Sequence, residues 1–279
     1  MVNPTESMPD AFGLASIFLY LAATVLLGLR LTSASLSKNN GMRWGLIGAA
    51  IFGAILHGLM LYQVALTSTG LNLGFFTAAS LVAWGIVLVL LASLMAQPLV
   101  NLGILVWPLA AITIALTMVY PGRHMLPEET GLGVEIHIVI SVLATSVLTI
   151  AAFQSMFLAF QERSLRRKRL GKALEIFPPL RTQESILFQL IGFGFFLLSL
   201  SLVSGTMFLS DILAQHLAHK TVLSLLAWLV FAILLWGRWR FGWRGRKAVR
   251  WSLMGFLTLI LAYFGTKLVL EIILDRAWY

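Results

Sequence analysis

The chain has 279 residues, of which 59% are hydrophobic and only 11% charged; its formal net charge is +9 and it has no cysteine. A soluble globular domain carries roughly 25% charged residues, so this composition excludes that class and predicts an all-α, polytopic integral membrane protein. The lack of cysteine excludes disulfides, thiolate metal sites and cysteine nucleophiles.

Residues 1–10 carry Glu6 and Asp10 but no Lys or Arg, so they lack the basic start of a cleaved signal peptide. Apolar runs of membrane length then predict eight helices. They cover Ala11–Leu31, Trp44–Leu66, Leu73–Met95, Leu99–Tyr120, Gly133–Gln161, Glu184–Leu209, Thr221–Trp236 and Val249–Leu274. The three-residue link Ala96-Gln97-Pro98 forces the third and fourth helices antiparallel. The fifth helix ends in a dense basic run, and its continuation to Pro178-Pro179 forms a basic stalk over residues 161–181. A Trp- and Arg-rich loop, Arg238–Lys247, reads as an interfacial anchor between the last two helices.

Most of the 20 Lys and Arg residues fall in or beside links on one side of this arrangement. That asymmetry marks the cytoplasmic side and places both termini outside. The reading is a single transmembrane domain, 1–279, crossing a bacterial inner membrane several times. The positive charge then has anionic lipid headgroups as its partner. Nucleic acid is not expected, because basic patches of that kind belong to soluble domains.

Five histidines are available. His57 lies near the middle of the second helix, where an ionisable group is costly and marks a functional site by default. Gly53, one turn earlier on the same face, leaves room for a neighbouring helix or a flat ligand. The plainer account is an imidazole bonded to a carbonyl or hydroxyl on another helix. His137 lies about one turn inside the outer end of the fifth helix. His216 and His219 flank the start of the seventh, also on the outer side, and share a face if that helix begins early. Imidazoles from separate helices converging at one membrane face suit a metal or haem iron. The alternative is that His124, His216 and His219 are ordinary solvated residues. No nucleophile–base pair, phosphate loop or zinc-hydrolase spacing occurs, so nothing assigns an enzymatic activity.

The segment Gly133-Val-Glu-Ile-His137-Ile-Val-Ile-Ser141, running into a long helix with a basic end, resembles the cytochrome c assembly superfamily of CcsA, CcmC and HemX types. Gly70–Ser80 followed by Trp84, His219-Lys220-Thr221, Ala227-Trp228, Gly242–Ala248 and Tyr263-Phe264-Gly265 are similar to further elements of that group, in its order. The resemblance covers most of the chain and is nearest the short YpjD-type inner-membrane branch. It implies a haem-handling membrane protein with His137 as an outer-side haem ligand. The chain departs from the group at Ser210–Thr221, which has no tryptophan, and at Trp236, where haem exporters carry histidine. Of the outer histidine ligands only His137 is carried over, so His57, His216 or His219 would have to replace the second one. Two other readings stand beside this. One is a carrier or regulator of small cations, with His57, or His57 and His137, handling a metal or proton. The other is a scaffold docking a membrane or cytoplasmic protein through the basic stalk.

Overall fold

In lipid a backbone amide finds no water, so each long apolar run satisfies its own hydrogen bonds by coiling into a helix. The computed structural model describes residues 7–37, 39–67, 70–94, 99–120, 125–126, 131–167, 178–208 and 215–265. Among them, eight helices are long and apolar enough to cross a membrane. They are α1 (Ser7–Thr32), α2 (Asn40–Ala65), α3 (Phe75–Ser93), α4 (Gly103–Val119), α5 (Leu132–Arg166), α6 (Leu180–Phe208), α7 (Gln215–Phe241) and α8 (Gly245–Ile260). A π-helical turn, Leu261–Gly265, extends α8. The all-α, eight-helix class read from composition is the one found. The helices gather into two compact units, α1–α4 and α5–α8.

In the first unit polar side chains lie inside while large apolar ones face outward. Phe18 and Phe52 are 71% and 65% exposed, whereas Ser16, Tyr20, His57 and Ser80 are buried. That is the pattern of a bundle whose solvent is lipid, where helices associate through close packing and hydrogen bonds rather than hydrophobic burial. Gly53 lets α1 approach α2: a Cβ there would lie 3.0 Å from the Tyr20 ring. At the same crossing Ser16 Oγ donates to the Gly53 carbonyl at 2.8 Å. Trp84 Nε1 donates to the Ala54 carbonyl at 2.8 Å and fixes α3 on α2. Thr117 Oγ1 donates to the Phe76 carbonyl at 3.0 Å and joins α4 to α3.

A small antiparallel sheet, absent from the sequence reading, closes one end of this unit. Its strands are β1 (Leu66–Thr67), β2 (Gly70–Asn72) and β3 (Met125–Leu126), with β2 in the centre. The register pairs Leu66 with Leu71, Leu71 with Leu126, and Asn72 with Met125. Strands this short give no alternating pattern to read, but their ladder ties the α2–α3 link to the segment after α4.

In the second unit α5 has 35 residues, about 52 Å at 1.5 Å per residue and well beyond a hydrocarbon core of about 30 Å. Glu135 in its first turn and Arg163 and Arg166 in its last complement the helix dipole. Gly194 of α6 packs against Leu148 of α5, where a Cβ would come within 2.6 Å of a leucine methyl. Further along, Gln161 and Gln183 both donate to the Pro178 carbonyl, at 3.2 and 3.1 Å. The Gln183 amide also donates to Gln161 Oε1. This buried amide cluster fixes where the chain re-enters at α6. Trp228 Nε1 donates to Ser199 Oγ at 2.8 Å, and Gly255 of α8 lies against the Phe231 ring of α7.

Several boundaries differ from the sequence reading for identifiable reasons. α2 starts at Asn40 rather than Trp44, because Asn39 caps it by accepting from Met42 N at 3.1 Å. α6 starts directly after Pro178-Pro179 rather than at Glu184, since proline suits a helix start. The largest correction concerns Arg238–Lys247, expected as a loop. Arg238–Phe241 complete α7, only Gly242–Arg244 turn, and α8 begins at Gly245. Gly242, at φ +63°, ends α7 in the left-handed region, with its N–H donating to the Arg238 carbonyl at 3.1 Å. Arg238 Nη1 donates to the Trp243 carbonyl at 3.2 Å, and Glu184 accepts Gly245 N at 2.8 Å. Two local bonds and one long-range bond to Glu184 of α6 thus replace an open loop. The link Ala96–Pro98, His124, part of the basic stalk (168–177) and residues 266–279 lie outside the described residues.

Candidate functional site

His137, Ser141 and Thr145 recur every four residues and therefore share one face of α5. They meet Ser201, Ser204 and Gly205 of α6 near the end of the helix opposite its arginines. Gly205 makes the space: a Cβ there would sit 3.1 Å from His137 Cε1. The half-buried imidazole has its Nδ1 2.9 Å from Ser204 Oγ and its Nε2 3.4 Å from Ser141 Oγ.

Ser204 Oγ donates to the Ser201 carbonyl at 3.0 Å, so towards His137 it acts as an acceptor. Ser141 Oγ donates to the His137 carbonyl at 2.7 Å and lies 2.7 Å from Ser201 Oγ. Each hydroxyl has a single proton. With the Ser204 proton on the Ser201 carbonyl, Nδ1 carries the ring hydrogen and gives it to Ser204, and Nε2 keeps its lone pair. At 3.4 Å the Ser141 contact is too long to be a good hydrogen bond. An imidazole oriented through one nitrogen and free at the other is the arrangement of a metal-binding histidine.

A cleft of about 140 Å³ opens beside this ring. Its walls come from all four helices of the unit: His137 and Ser141, Ser201, Lys220 and Ser224 from α7, and Tyr263 beyond α8. Lys220 Nζ lies 5.4 Å from the Tyr263 ring centroid, close enough for a cation–π contact. The cleft thus combines a nitrogen donor, an ammonium group, hydroxyls and an aromatic face.

The other histidines are placed differently. His57 belongs to the first unit and is fully buried. Ser80 Oγ lies 2.9 Å from its Nε2 and Tyr20 Oη 3.4 Å from its Nδ1. Both nitrogens face hydroxyls of neighbouring helices, and Tyr20 fills the space beside Gly53. α7 begins at Gln215, early enough for positions 216 and 219 to stand one turn apart, but the side chains of His216 and His219 lie outside the described residues. Among the described residues no three His, Asp or Glu side chains gather as a metal cage.

The sequence reading found His137 but not what surrounds it. The signal for Ser141 and Thr145 was their four-residue spacing from His137. Ser201, Ser204 and Gly205 are small residues of the kind that suits close helix packing, and nothing in their spacing marks Ser204 as the partner of an imidazole. Lys220 and Tyr263 are 43 positions apart, with no local pattern to bring them together.

Comparison with known proteins decides the family. Its sequence profile, described as cytochrome C assembly protein, matches residues 44–274. The chain belongs to the cytochrome c assembly protein family. It is similar to the inner membrane protein YpjD of Escherichia coli K12, 33% identical over 246 residues, 85% of this chain and 91% of that one. It is also similar to the cytochrome c biogenesis protein CcsA of Cyanophora paradoxa, 28% identical over 119 residues, 42% of this chain and 37% of that one. An uncharacterised 28.8 kDa protein of Azospirillum brasilense is 34% identical over 146 residues, 52% of this chain and 54% of that one. No solved structure matches. This member of the family is a multi-pass protein of the inner membrane. The family match spans His57, His137, Lys220 and Tyr263, whereas α1, which supplies Ser16 and Tyr20 to the His57 pocket, precedes it.

Proposed function

We propose that this chain binds haem at the cleft beside His137, with His137 Nε2 as an iron ligand. The observation that carries the reading is the imidazole at the wall of the cleft, held at Nδ1 by Ser204 at 2.9 Å. Membership of a family concerned with cytochrome c assembly supports it, since that process handles haem. The donors present fit an iron porphyrin: imidazole for iron, the Lys220 ammonium for a propionate, and the Tyr263 ring beside them. The enclosed volume of about 140 Å³ is smaller than the roughly 300–1,000 Å³ of ordinary ligand pockets. A whole macrocycle therefore requires the cleft to widen on binding. When bound, haem supplies an iron centre able to change oxidation state. The chain's own part is to orient His137 through Ser204, to offer a cation, and to keep the site on the four helices α5–α8.

Haemin titration of the purified protein tests this. Wild type should develop a Soret band that His137→Gly lacks, and added imidazole should restore the band to the variant by occupying the vacated position. Equal titrations of the two proteins, or a band insensitive to imidazole, would remove His137 from the site.

A further inference from the structure

At the end of α5–α8 opposite His137, a groove of about 590 Å³ runs between the last turns of α5 and the first turns of α8. Arg163, Arg166 and Arg167 line it from α5, and Arg246 and Arg250 from α8. The spacing explains the convergence. Positions 159, 163 and 166 recur on one face of α5, and 246, 250 and 253 on one face of α8. Glu162 is the one carboxylate in the lining, 2.9 Å from Arg166 Nη2 and 4.0 Å from Arg246 Nε. Five guanidinium groups against one carboxylate leave four positive charges uncompensated there. Among the described residues, Arg163, Arg167 and Arg250 enter no ion pair.

The groove is also layered. Ala159, Val249 and Leu253 form its apolar wall; Ala159 and Leu253 lie further towards the membrane interior than the arginines of their helices, and Val249 lies between Arg246 and Arg250. An acyl chain fits the apolar part and an anionic phosphate the arginine end. A free anion would have no use for the first. A second groove, of about 650 Å³, adjoins it, sharing Glu162, Arg166 and Arg246 and adding Arg244, Lys247 and the carboxylate of Glu184. Guanidinium groups bind phosphate oxygens in pairs, and basic pockets between transmembrane helices hold anionic headgroups.

We infer that the groove between the basic ends of α5 and α8 is a specific seat for one phospholipid with an anionic phosphate headgroup, distinct from the diffuse attraction of the other basic residues to the bilayer surface. The inference does not depend on haem binding.

Native mass spectrometry of the full chain in detergent, with phosphatidylglycerol, phosphatidylcholine or inorganic phosphate added, tests it. Wild type should retain one phosphatidylglycerol in preference to phosphatidylcholine. Arg163→Gln/Arg250→Gln should weaken that binding about 30-fold, about 5-fold per arginine. Both residues are exposed, so the variant should fold. Arg43→Gln/Arg240→Gln removes equal charge outside the groove and should change binding by less than about 2-fold. Equal retention of the two lipids, equal losses in the two double variants, or displacement by an equal concentration of inorganic phosphate would each overturn the assignment.

Discussion

Replacing His57 by leucine separates a structural imidazole from a ligand or relay. The substitution removes the 2.9 Å contact to Ser80 and the 3.4 Å contact to Tyr20. The second is long enough to contribute little, so the loss is set by Ser80. Interhelical hydrogen bonds in membranes average about 0.6 kcal/mol and reach about 1.7, whereas orphaning a buried polar group in water-soluble proteins costs about 1–3 kcal/mol. The Ser80 hydroxyl can turn to its own helix carbonyl one turn back, which favours the lower range. We expect His57→Leu to destabilise by about 1 kcal/mol. Ser80→Ala should cost about the same in wild type and almost nothing once His57 is leucine, because two apolar groups then face each other. The assay is reversible unfolding by SDS in mixed micelles, followed by tryptophan fluorescence, as a double-mutant cycle. Strictly additive losses, or no loss for His57→Leu, would refute the pairing. Loss of metal uptake or of a haem spectrum with stability intact would show that His57 acts on a ligand.

Gly194→Ala should cost about 1–3 kcal/mol in the same unfolding assay, because the new Cβ meets the buried Leu148 side chain at 2.6 Å. Gly242→Ala forces an L-residue into φ +63° and should lower stability by about 1–2 kcal/mol. Ser204→Ala removes the hydroxyl partner of His137 Nδ1. If haem is held as proposed, it should shift the Soret position and weaken binding about 10-fold without abolishing it, as loss of an outer-shell partner does.

The fold class was legible because it rests on bulk quantities: few charges, long apolar runs and one-sided arginine. Helix ends were less so, because they depend on single caps. Asn39 lengthens α2 at its start, and Gly242 turns the chain within three residues where aromatic and arginine content suggested a loop. The sheet was hidden because strands of two or three residues have no period. For the site, sequence order exposed His137 but could not show that α6 would deliver Ser204 to its Nδ1. That contact joins residues 67 positions apart and exists only because Gly205 lets the helices approach. His57 looked the more unusual histidine in sequence, yet it is fully buried against Tyr20 and Ser80, whereas His137 is half-buried and lines a cleft.

The most direct measurement is the visible spectrum of the full chain isolated from haem-replete cells, for wild type beside His137→Ala, with far-UV circular dichroism showing that both are folded. The account predicts a Soret band in wild type that is lost, or strongly weakened, in His137→Ala. A folded wild type with no Soret band, or one whose band is unchanged by the substitution, would contradict it.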